Sequence, residues 1–438
     1  MNFGIIGMIL CVILLMYLVY LGLSVIVAAP VTAILLMLVT SIPLVEGFSV
    51  TFLRGAGGFI TGLLGIYLAG TLLGEVYTVS GASVSIARSL MRTLRGKREQ
   101  VSPVISFCIV YAVGSILVFG GIHVVALCFI LLPLSLPLMR EANIPRVLAP
   151  AMVISCSFTG ALTMPGAPQT PNAIPMGFLG TAPNAGLFPG IIAGVFLWVV
   201  NIIILTVITK RLNAAGIGYS GDDIVQEEEK KTPPNPWISA IPFAVVFVLF
   251  NAFNLHIVYS LLAGTLVAII VFWKHIDGRK GLFSVLNNGG EKCCVVLIAG
   301  SVMGGFGATI AASNAFVSVA NSVVNFPGPP LFVVGIAMAI ITGISGTAPA
   351  GLGVGIPMFQ DIFVVQMGID PAALHRVASF ASSTFDTLPT NAVYLAMAGL
   401  AGFTVRQTYK YVFALTVVPP IIATFLVAML LTVFPGLA

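Results

Sequence analysis

Apolar residues run along this chain in stretches of about twenty, long enough to cross a bilayer core of about 30 Å as helices. They cover 5–27, 28–46, 55–79, 103–118 with 120–139, 147–181 and 187–209, and, after a polar linker at 210–236, they resume at 237–253, 257–273, 285–311, 330–345 with 350–367, 374–400 and 411–436. Continuous runs of this length exclude the ten-residue alternation of a membrane β-barrel. The pattern predicts an all-α polytopic membrane protein.

The two lists share one rhythm, so we read a duplication: a first repeat over 1–209 and a second over 237–438. Short matches in the right order carry it. Gly70-Thr-Leu-Leu-Gly74 aligns with Gly300-Ser-Val-Met-Gly304, Ala142-Asn-Ile-Pro145 with Gly368-Ile-Asp-Pro371, and Pro171-Asn-Ala173 with Thr390-Asn-Ala392. Each repeat then holds a hairpin (103–139, 330–367) and a proline-broken helix (147–181, 374–400).

The breaks carry the candidate chemistry. Within 374–400 lies Ser-Ser-Thr-Phe-Asp386-Thr387-Leu-Pro389-Thr390-Asn391, polar in the middle of an apolar run. Pro389 removes an N–H and orphans carbonyls one turn back, which in hydrocarbon costs several kcal/mol unless the backbone lines a wet or protein-filled space. A carboxylate there adds roughly 2.5 to 3.5 kcal/mol of insertion cost. Paired interruptions in two halves are the sequence mark of a midplane transport site, and Thr163-Met-Pro-Gly166 through Asn172 is the twin of this one. The second hairpin bends at Ser345-Gly346-Thr347, whose hydroxyls and N–H groups suit an anion or a stripped cation; the first bends at Gly120-Gly121-Ile-His123. Substrate donors are therefore expected from Thr387, Thr390, Asn391, Ser345, Gly346, Thr347, Thr163, Gly166, Asn172, Gly120 and Gly121. Proton or ion coupling is expected from Asp386 first, then His123, Glu75 and Asp361, and a sodium ion would sit near Ser345, Thr347 and Asn391. Each has a plainer reading: a proline kink, a hydrogen-bonded helix contact, or close packing by small residues, as for Gly351, Gly353 and Gly355.

Charge adds topology. With 8% charged residues, 58% hydrophobic and a mean hydropathy of +1.10, the chain is too apolar to cover a soluble globule. With the N-terminus outside and five crossings per repeat, the second copy is inverted, and 17 of the 19 Lys and Arg fall inside. Only Arg54 and Arg376 fall outside, and Glu291 and Lys292 are expected to pair or snorkel at a membrane edge. Re-entrant and fully spanning hairpins give the same loop assignments. The first 27 residues contain no Lys or Arg, so a retained span is expected rather than a cleaved signal. The net charge of +5 calls for no nucleic-acid partner. The six cysteines lie in apolar segments without ligand spacing, and neither cofactor nor metal is expected. No Walker, HExxH, GxSxG or dinucleotide motif occurs, so an enzyme is disfavoured and uphill transport would draw on an ion gradient.

From Leu68 to Arg88, and again at Thr163–Gln169, Asn172–Pro175, Gly180–Pro183 and Asp386–Pro389, the chain resembles the gluconate permease family, over nearly its whole length. The resemblance implies a homodimeric inner-membrane carrier with inverted repeats and re-entrant hairpins, moving a small organic anion such as gluconate or 3-hydroxybutyrate by elevator-like alternating access with protons. A sodium-coupled di- or tricarboxylate symporter of the citrate kind is the alternative. A passive anion channel or an intramembrane enzyme using Asp361 and Asp386 are lesser rivals.

Overall fold

The computed structural model describes residues 2–82, 85, 86, 89, 102–119, 124–167, 169–220, 233–251, 253, 255–324, 327–389 and 391–438. Gly120, Gly121, His123 and Thr390, the basic run 90–101 with Arg88, and the linker 221–232 fall outside these residues, as do the expectations attached to them.

Every regular element among the described residues is helical. Among the described residues, six helices are long and apolar enough to cross a membrane, or seven if Leu44–Gly62 and Leu64–Val79, which meet at 49°, count as one span. Their outer faces carry exposed Ile, Leu, Val and Phe, as in Phe3–Tyr20 and Leu187–Ala214. In water such surface would be a liability, and in lipid it is the expected solvent-facing side.

Two long helices, Leu53–Val79 and Gly278–Ala311, pack against each other along their length and form one wall of the interior. They run antiparallel, because Gly55 meets Gly304 and Ala308 at one end while Leu72 meets Gly289 and Glu75 meets Asn288 at the other. The glycines set the separation: a methyl group on Gly55 would stand 2.8 Å from the Gly304 carbonyl, and one on Gly305 would stand 2.7 Å from the Phe52 carbonyl.

Against this wall sit two hairpins and two broken helices. The second hairpin joins Pro330–Ser345 to Ala348–Phe359 through Gly346, which has a φ of 79° that a side chain would resist. Its arms close on small residues: a methyl on Gly351 would stand 2.5 Å from Thr342 Oγ1 and one on Gly355 2.8 Å from Met338 Cε, whereas Gly353 faces open space. The first hairpin joins Pro103–Phe119 to Val124–Glu141. The first broken helix runs Ala149–Phe158, Gly160–Thr163, then irregular backbone, then Thr170–Leu179. The second runs Pro371–Ser382, irregular backbone, then Ala392–Leu400.

Candidate functional site

The irregular backbone of each broken helix is stitched by an asparagine. Asn391 donates through Nδ2 to the Asp386 carbonyl at 2.7 Å and accepts through Oδ1 from Tyr394 N–H at 2.9 Å, capping the helix that follows. In the other break Asn172 Nδ2 donates to the Ala167 carbonyl at 3.0 Å and to Met164 at 3.1 Å. Both asparagines thus reach the carbonyl five residues back, satisfying groups that the lost helical turn left orphaned.

Each break also anchors a hairpin tip. Asp386 Oδ1 accepts from Ala348 N–H, the first donor of the second hairpin's returning arm, at 2.8 Å. Gln169 does the corresponding work without a charge: its Oε1 accepts from Val124 N–H and its Nε2 donates to the Val118 carbonyl, both at 3.3 Å, bridging the two arms of the first hairpin.

These anchors close around a cavity of about 410 Å³, bounded by Gly55, Phe59, Tyr67, Gly300, Met303 and Gly304 of the antiparallel helix pair. The remaining walls come from Val124, from Phe158, Leu162, Thr170 and Pro171, from Thr347 to Ala350, and from Asp386, Asn391 and Val393. Both hairpins and both broken helices therefore contribute. Four helices begin at this cavity, at Val124, Thr170, Ala348 and Ala392, so four positive dipole ends converge on it. Asp386, 4% exposed, is the one charged side chain lining it among the described residues. A second cavity of about 550 Å³, between the turn 20–26 and helix Ala392–Leu400, holds none of the residues nominated from sequence.

Of those residues, Thr347, Asp386 and Asn391 line the 410 Å³ cavity. Ser345 lies one residue before the turn, buried, with an Oγ that has no hydrogen-bond partner, and Thr342 Oγ1 one helical turn back is also buried and unpaired. Gly346 makes the turn itself. Thr387 faces away from the cavity and shares a hydrogen bond with Thr416. Thr163, Gly166 and Asn172 shape the first break and do not reach the cavity wall; Gly166, with φ 79°, ties its N–H to the Pro183 carbonyl. Asp361 lies exposed in the π-helical turn Gln360–Gln366, apart from buried Asp386.

Glu75 makes the helix contact that was its plainer reading: Lys292 Nζ pairs with its Oε2 and Asn288 donates to its Oε1 at 3.3 Å, so Lys292 bonds across the helix pair instead of to its neighbour Glu291. Arg376 is not an external loop charge. It is 0% exposed, and its guanidinium donates to the carbonyls of Ala185 and Thr163, both at 2.7 Å, and to Asn172 Oδ1 at 2.8 Å. Ser379 Oγ adds a bond to the Pro171 carbonyl at 2.7 Å, and His375 Nδ1 one to Thr181 Oγ1 at 2.7 Å. The second broken helix thereby holds the first in its irregular shape. Arg376, Gln169 and the cavity-lining Thr170 were missed from sequence; the signal available was a polar side chain inside an apolar run beside a proline break.

The chain is 25% identical over 452 aligned positions to an uncharacterized transporter, YxjC, of Bacillus subtilis, which spans 92% of this chain and 94% of the relative. Among solved structures it resembles the Alcanivorax borkumensis YdaH transporter at 16% identity and a TM-score of 0.47, over 90% of this chain and 89% of that one. No protein-family model matches the chain.

Proposed function

We propose that this protein is a multi-pass secondary transporter that carries a small organic anion through the 410 Å³ cavity, coupled to protons at Asp386. The observation that carries the reading is the meeting of four helix N-termini at one interior cavity without Lys or Arg in its lining among the described residues. Such an arrangement attracts a carboxylate through backbone dipoles, each equivalent to about half an elementary charge. It does so without a side-chain cation that would hold the ligand too tightly to release. The likeness to a named transporter over most of both chains supports carriage and points away from an enzyme.

The walls come from corresponding elements of the two halves, and both asparagines bond five residues back, which supports a duplicated architecture of the gluconate permease kind. In this reading the helix pair is a fixed scaffold in a homodimer, and the hairpins with the broken helices form a moving body that shifts the cavity between the two faces of the cytoplasmic membrane. Asp386 keeps one oxygen on Ala348 N–H and has the other to take a proton as substrate enters. Small monocarboxylates are the substrate class this reading supports.

One observation favours sodium as the alternative coupling ion. Ser345 Oγ and Thr342 Oγ1 are both buried and unpaired at the C-terminal, negative end of Pro330–Ser345, where a cation would be welcome.

Uptake by proteoliposomes of labelled gluconate, 3-hydroxybutyrate, lactate and citrate, under a pH gradient and separately under a sodium gradient, tests the reading. Accumulation of a monocarboxylate driven by pH alone is expected. Accumulation that requires sodium transfers coupling to the hydroxyls, and no concentrative uptake of any of the four removes the proposal's support.

A further inference from the structure

We infer that the cavity selects a monocarboxylate with an apolar body and discriminates against polyhydroxylated and multiply charged acids. This rests on the reading of the cavity as an anion carrier's binding site and narrows it.

The argument is an inventory of what the walls can offer. The polar side chains are Tyr67, Thr170, Thr347, Asp386 and Asn391, and much of their capacity is already committed. Asn391 spends its amide on the Asp386 carbonyl and its oxygen on Tyr394 N–H; one oxygen of Asp386 holds Ala348 N–H, and Thr347 Oγ1 accepts from Ala350 N–H at 3.4 Å. What remains suits one carboxylate: the hydroxyl protons of Thr347, Thr170 and Tyr67 together with the dipole ends around them. The side chains of Phe59, Val124, Phe158, Leu162, Met303 and Val393, which make up much of the remaining lining, offer only apolar surface. A sugar acid would have to bury several hydroxyls against these side chains, and each hydroxyl left without a partner weakens binding by about tenfold. A di- or tricarboxylate would bring further negative charge to a lining that contains a carboxylate and no Lys or Arg among the described residues. A short branched or aromatic tail instead displaces water from the apolar wall and gains affinity with each methylene.

The experiment is equilibrium binding to the purified full-length protein at neutral pH of 3-methylbutyrate, phenylacetate, 3-hydroxybutyrate and gluconate, with proton-driven proteoliposome uptake measured in parallel. The expected order places 3-methylbutyrate and phenylacetate at least tenfold tighter than gluconate, with 3-hydroxybutyrate between. V393T, which keeps shape and adds a hydroxyl to the wall, is expected to narrow the gap between 3-methylbutyrate and 3-hydroxybutyrate by threefold or more; V124T, on the first hairpin, is the second variant, should V393T fail to fold. Gluconate binding as tightly as the apolar acids, with uptake intact, overturns this inference and leaves the carrier reading standing. Absence of both binding and uptake for all four overturns the carrier reading and this inference together.

Discussion

Arg376 donates from Nη1 to Asn172 Oδ1 at 2.8 Å, joining the second broken helix to the asparagine that stitches the first. The same nitrogen donates to the Thr163 carbonyl and Nε to the Ala185 carbonyl, so one fully buried cation satisfies two carbonyls and a side-chain amide oxygen around the first break. Hydrogen bonds from a charged donor contribute about 1.5 to 3 kcal/mol each. A lysine at this place keeps the charge but lacks the planar fork that reaches divergent acceptors. R376K is expected to cost about 2 to 4 kcal/mol, on the scale of one or two such bonds, lowering the melting temperature in detergent and reducing uptake more than tenfold. A melting curve and transport rate equal to the parent protein would show that the guanidinium does not organise the first break.

Asp386 anchors the second hairpin and, in the proposed function, also couples protons, and substitution can separate the two. Its Oδ1 anchors the second hairpin through Ala348 N–H, and a carboxamide oxygen can accept that bond as well, as Gln169 Oε1 does from Val124 N–H in the other half. D386N is therefore expected to fold and to exchange labelled for unlabelled substrate across liposomes, while losing accumulation driven by a pH gradient. D386A, which also loses the anchor, is expected to fail in both assays. Gradient-driven uptake by D386N at the parental level would relieve this carboxylate of coupling.

Glu75 and Lys292 form an ion pair across the antiparallel helices, with Glu75 buried and the Lys292 side chain 37% exposed. That exposure lets solvent screen the pair, so its coupling energy is expected at or below about 1 kcal/mol. The single variants E75Q and K292M should each lower thermal stability, and the double variant should recover part of the loss. Melting temperatures of the four proteins form the cycle, and strict additivity would mean that the two side chains act independently.

The hairpin glycines should differ sharply although they are two residues apart. A methyl on Gly351 would press into Thr342 backbone and hydroxyl, whereas one on Gly353 meets nothing within 4 Å. G351A is expected to destabilise by about 1 to 3 kcal/mol through overpacking, and G353A to stay within about 0.5 kcal/mol of the parent. Equal effects on stability and uptake would show that the hairpin arms do not close as tightly as described.

The helical class, the apolar runs and the position of both breaks are legible in the residues because they follow from local chemistry. An apolar run needs a bilayer or a core, and Pro389 close to Asp386 cannot donate a helical hydrogen bond. Asp386 stands out in the sequence for the same reason: a carboxylate within such a run is costly and has to be accounted for. Thr387 has the same composition-level claim, yet its bond to Thr416 takes it from the cavity, because the direction of a side chain at an irregular bend depends on the backbone after the break.

Partnership across the chain was beyond that reach. Glu75 finds Lys292 217 residues later, Arg376 finds Asn172 204 residues earlier, and Gln169 finds Val124 of the first hairpin 45 residues back. Counting Arg376 as an external charge assumed that a cation near the start of a span stays in water, but depth is set by what lies opposite. Here the opposite wall is a set of unsatisfied carbonyls that make burial of a guanidinium worthwhile. The chain's own order of residues thus determined which segments are helical, where they break and which groups are costly to bury. Which of those groups meet, and so which surround a cavity and which only hold its walls, was left to packing, since a buried polar group is stable only beside the particular partner that the folded backbone brings to it.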